Sequence, residues 1–256
     1  MSSIFGNDDP AYLGTVFEYL SLMEIASLGR VNHYWSRVST VCPRSVLDTM
    51  GLSIRNDQLL AMVLANRRNL TKIRLSSSHL EQLAAGLLQI LPQLPLLEHV
   101  EIYQANRDGS VLYNAESLAE ISKYERPGCK SLILGCDPSI PSVYRLVMHL
   151  IPQLSTVAFL KGTDSIFSTE KELINFLENS CNFPNLNCLH LGTCSNSVEM
   201  DPVIALLLAK AAELKYIQWS NASAGLEMMR ALMLSENKIQ CAFEGAGFLS
   251  FFYRMV

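Results

Sequence analysis

The stretch Leu186-Asn187-Cys188-Leu189-His190-Leu191 decides the fold, because its apolar first, fourth and sixth positions recur along the chain. The same form appears at Leu70/Ile73/Leu75, Leu97/Val100/Ile102, Cys129/Leu132/Leu134, Leu154/Val157/Phe159 and Leu214/Ile217/Trp219. Successive central residues lie 27, 32, 25, 32 and 28 positions apart, the spacing of one supersecondary unit repeated. Strand side chains alternate between faces, so the last two apolar residues of each cassette enter one core while the residue between them faces the other way.

The intervening segments read as amphipathic helices, with apolar residues three and four apart. They cover Leu80 to Leu91, Ala115 to Tyr124, Val143 to Ile151, Lys171 to Ser180, Val203 to Ala212 and Leu226 to Leu234. Thr169 with Glu172 forms a capping-box pattern, and Asp201-Pro202 forms an N-cap followed by proline. Val46-Leu47-Asp48 reads as an irregular first unit and Ile239/Cys241/Phe243 as a seventh strand, with Phe248, Leu249, Phe251, Phe252 and Tyr253 as a terminal cap. The expected class is α/β, and the repeat resembles the leucine-rich repeat of ribonuclease-inhibitor-like proteins. That resemblance implies a solenoid over residues 46–256, with parallel strands on the concave face and helices on the convex face.

In leucine-rich repeats the residues between the buried strand positions pave the concave face. Here they form a ladder of Arg74, Glu101, Ile133, Ala158, His190 and Gln218, flanked by Lys72, His99, Thr156, Cys188 and Tyr216. The resemblance implies that Lys72, Arg74, His99, Glu101, Ile133, Thr156, Ala158, His190, Tyr216 and Gln218 form a protein-substrate surface.

Residues 8–45 carry another pattern. Asp9 and Pro10 open a helix with Leu13, Val16, Phe17 and Leu20 on one face; Ser21 and Glu24 frame a second, carrying Leu22, Ile25 and Leu28. Gly29 ends that helix, and a third begins at Val31 and presents Trp35. Three such short helices cannot build a large core, so part of this apolar set awaits a partner surface. The order Pro10, Leu13, Val16, Phe17, Leu20, Leu22, Ile25, Leu28, Val31, Trp35 resembles the F-box. It departs at Asp9, Tyr12 and Gly14, where that family favours leucine, an acidic residue and a large apolar residue. The resemblance implies that these ten residues bind a Skp-family adaptor, and through it a cullin-RING scaffold. The chain would then be a non-catalytic substrate receptor of an SCF-type ubiquitin ligase.

Composition fits a folded chain, with 49% hydrophobic and 17% charged residues. A formal charge of −4 without a Lys/Arg cluster gives no basis for nucleic-acid binding. No apolar run reaches the roughly 18 residues of a membrane span, and no secretory leader is visible, so a cytoplasmic or nuclear location is expected. Seven cysteines without CxxC spacing read as reduced, mostly buried thiols. Motifs of hydrolases, metalloproteases and phosphate-binding loops are missing, and the five histidines share no metal-like spacing. No enzymatic role and no cofactor are therefore expected. The alternative is a leucine-rich-repeat scaffold or inhibitor whose N-terminal helices only cap the solenoid.

Overall fold

The computed structural model describes Glu24, residues 45–50, 52, 54–106, 111, 130–138, 140–160, 170–180, 182–191, 198–199, 201–220, 222–223, 240–244 and 251–253. Among them, nine strands form one sheet. Its strands are β1 (Val46–Asp48), β2 (Lys72–Ser77), β3 (His99–Gln104), β4 (Lys130–Gly135), β5 (Leu154–Phe159), β6 (Cys188–Leu191), β8 (Tyr216–Ser220), β10 (Gln240–Glu244) and β11 (Phe251–Tyr253), in that spatial order. The first eight run parallel, and β11 is antiparallel to β10. Short strands β7 (Val198–Glu199) and β9 (Ala222–Ser223) pair separately.

Five helices are described: α1 (Asn56–Ala65), α2 (Leu80–Ile90), α3 (Pro141–Leu150), α4 (Glu170–Asn179) and α5 (Asp201–Lys210). Four of these match expected helices within about two residues at each end, whereas α1 was not anticipated. The expected helices Ala115–Tyr124 and Leu226–Leu234 lie outside the described residues. In α2 the buried residues Leu80, Leu83, Ala84, Leu87 and Ile90 make one continuous stripe. Both α2 and α3 give way to a single 3-10 turn, Leu91–Gln93 and Ile151–Gln153, each with proline at its second position. Proline removes an amide donor and clashes with the preceding turn, so the α-helix stops there.

Several strands are launched in a repeated way. The N–H of the leading leucine donates to a carbonyl three residues back, as in Leu97 to Leu94 (3.2 Å), Leu186 to Phe183 (3.3 Å) and Leu214 to Ala211 (3.1 Å). The next two N–H groups then converge on one carbonyl of the preceding unit: Thr71 and Lys72 on Ser45, Glu98 and His99 on Thr71, Lys215 and Tyr216 on Asn187. Repetition of this contact holds the strands in one register. Ile73, Val100, Leu132, Val157, Leu189 and Ile217 consequently align across the sheet in one row of the core. Burying each such side chain contributes roughly 1.5–3 kcal/mol.

The other face of the sheet is covered as well. Tyr103, Ile133, Ala158 and Leu160 form a second apolar cluster, with Met50 and Val111 packed against it. Val111, which bridges antiparallel to Ala105 at the end of β3, packs on this face. On the helix side, α2 packs directly on α3 although β3 separates their strands.

Candidate functional site

The register places the predicted ladder in a single line: Arg74, Glu101, Ile133, Ala158, His190 and Gln218 are successive Cα partners, and Asp48 extends the line beyond Arg74. Lys72, His99, Ser131, Thr156, Cys188 and Tyr216 form the adjoining line. Their openness to solvent needs correction. Glu101, Ile133, Thr156, Ala158, Cys188, His190, Tyr216 and Gln218 are all buried. The physical reason at β3 to β5 is the second apolar cluster, which seals this face of the sheet. Lys72, Arg74 and His99 keep partial exposure.

The open end is electrostatically organised. Glu101, only 1% exposed, accepts from Arg74 Nε at 2.6 Å and Arg74 Nη2 at 3.2 Å, from Lys72 Nζ at 2.8 Å and from the Tyr103 hydroxyl at 2.9 Å. Arg74 Nη1 also pairs with Asp48 Oδ2 at 2.9 Å. Burial alone would raise the Glu101 pKa, but hydrogen bonds and charge from Arg74 and Lys72 outweigh it and hold the carboxyl below its ordinary value. Burial would likewise lower the Arg74 pKa, and the bond and charge of Glu101, with Asp48, reverse that and push it up. Glu101 and Arg74 thus both stay ionised near neutral pH. Sequence reasoning missed Asp48 and Tyr103 as participants. Their signal was available: Asp48 continues the ladder into the first unit, and Tyr103 follows Glu101 at strand period two.

Along the flanking line, His99 Nδ1 and Ser131 Oγ share a hydrogen bond at 2.7 Å. Further on, the Tyr216 hydroxyl donates to Gln218 Oε1 at 3.2 Å. Cys188 is a free buried thiol whose pKa is pushed up to about 12 by burial, as is that of Cys136 by burial and then Asp137. Thiols held this way are poor nucleophiles.

The expected adaptor-binding set, Pro10, Leu13, Val16, Phe17, Leu20, Leu22, Ile25, Leu28, Val31 and Trp35, lies outside the described residues. Among the described residues, no helix is long and apolar enough to cross a membrane. No known family model matches the chain, and no curated protein matches it in sequence.

Proposed function

We infer that this chain is an F-box protein with leucine-rich repeats, acting as the substrate-recruiting subunit of an SCF-type ubiquitin ligase in the cytoplasm or nucleus. The observation that carries this reading is the succession of parallel strand pairings built on the apolar cassettes, starting at Val46 directly after the apolar pattern of residues 8–45. An array of strand-helix units preceded at once by such a pattern is the arrangement that resembles this family.

In this reading the chain supplies position and no bond chemistry. The N-terminal residues dock on a Skp-family adaptor, the remainder holds a protein substrate, and a substrate lysine gains effective concentration near the ubiquitin thioester. With most of the ladder buried, substrate contacts fall to its open end, where Lys72, Arg74, His99 and Asp48 present mixed charge. Hydrophobic anchors dominate the adaptor side, because exposed Leu and Phe side chains regain roughly 1.5–3 kcal/mol each when covered.

Immobilised recombinant Skp-family adaptor tests the reading. It should capture the native chain and fail to capture a Leu13→Ala/Phe17→Ala variant whose circular dichroism is unchanged. Absence of capture by the native chain would favour the scaffold or inhibitor reading.

A further inference from the structure

We propose that a cleft beneath the N-terminal ends of β3 and β4 binds a free apolar α-amino acid. The cleft has a structural origin. Because α2 packs directly on α3 while β3 lies between their strands, the turns that end these helices bracket a notch of about 310 Å³. That is the small end of the roughly 300–1,000 Å³ range of ligand pockets. A molecule the size of leucine or phenylalanine fits within that volume.

Its walls combine two chemistries. Leu94, Leu97, Val100 and Leu150 give an apolar surface, and Glu98 and Lys130 bring opposite charges to the same cleft. These two occupy neighbouring strand positions, one residue before the His99–Ser131 partner pair. Among the described residues they nevertheless form no ion pair with each other. Lys130 Nζ donates to the neutral Gln153 Oε1 at 2.6 Å, and the Glu98 carboxylate lies 3.9 Å from His99 Nε2. One cation and one anion beside an apolar wall complement a zwitterion: its carboxylate on Lys130, its ammonium on Glu98, its side chain against the leucines. A fatty acid would satisfy Lys130 and leave Glu98 against hydrocarbon, and an apolar amine would do the reverse. An amino acid satisfies both.

Calorimetric titration of the full chain with L-leucine and L-phenylalanine tests this site, independently of adaptor docking. For a ligand so small, one-site binding with Kd between about 10 μM and 1 mM is expected. N-acetyl-L-leucine lacks the ammonium and L-leucinamide lacks the carboxylate. Each should bind at least about tenfold more weakly, as should L-leucine to Lys130→Gln or Glu98→Gln chains, since each loses a charge-assisted contact. The analogues need no variant, so they decide the matter even if a substitution perturbs folding. No heat from either amino acid at about 10 mM, where occupancy at such Kd values would be high, overturns the proposal. So do analogues that bind as well as L-leucine, which would mark an unspecific apolar notch.

Discussion

At the scale of single residues, the Glu101 carboxylate is a buried charge held by several donors. A nearly inaccessible charge is tolerated because Arg74, Lys72 and Tyr103 all donate to it. Arg74→Met should destabilise the chain by about 2–3 kcal/mol in urea melts, because Lys72 and Tyr103 compensate only part of the loss. Glu101→Met added to Arg74→Met should do less harm than the two single effects combined, with a coupling of about 1 kcal/mol or more, and additive effects would contradict the network. Acid should act on the same group. Its folded pKa lies below the ordinary 4.5, so its contribution is complete above that value and disappears as pH falls through the depressed value. Urea midpoints measured from about pH 6 down to about pH 3 should drop less steeply for Glu101→Gln than for the native chain. Gly135 offers a second residue-scale test. A Cβ there would meet Cε1 of Tyr103 at 2.9 Å, and this ring is fully buried with its hydroxyl held by Glu101. Gly135→Ala should therefore cost about 1–3 kcal/mol, seen as a lowered melting midpoint. By contrast, a Cβ at Gly86 meets the flexible end of Leu60, so Gly86→Ala should be close to neutral.

Helix ends in this molecule are finished by neighbouring helices. Lys210, the last residue of α5, donates from Nζ to Leu177 O, to Glu178 O at 3.0 Å and to Ser180 O at 2.7 Å, where the C-terminus of α4 leaves carbonyls unsatisfied. Replacing it by methionine should lower stability by about 1–2 kcal/mol in thermal melts, through lost hydrogen bonds and lost charge at the negative end of the helix dipole. At the opposite kind of terminus, Glu81 in the first turn of α2 accepts from Ser142 N at 3.0 Å and Ser142 Oγ at 2.7 Å, capping α3. Those two bonds hold the Glu81 carboxyl below its usual range. Elements of this kind were legible only in part. Strands β2 to β6 and β8 and helices α2 to α4 follow from periodicity, because their cassette and stripe residues face one core, whereas α5 is marked mainly by its Asp201-Pro202 start. Neither cross-helix cap could be read, since nothing local links Lys210 to Ser180 or Glu81 to Ser142. Helix α1 escaped because Leu59, Leu60, Met62, Val63 and Leu64 spread its apolar residues around the axis and leave little stripe to detect.

For the whole molecule, the spacing of the cassettes predicts the parallel order of the sheet and the alignment of its central core row, since each cassette supplies the same alternating core positions. Closure of the opposite face was not legible. Tyr103, Ile133 and the Ala158/Leu160 pair belong to three separate units, and only register makes them one cluster. A repeat rule assigns outward positions to solvent whatever chain packs over them. In the proposed division of labour, residues 8–45 meet an adaptor and the sheet remains a rigid holder. Amide hydrogen exchange of the native chain with and without recombinant Skp-family adaptor measures it most directly. Protection should rise across Pro10 to Trp35 and stay unchanged in β2 to β8. No change over Pro10 to Trp35, or protection gained in the sheet instead, would contradict the account.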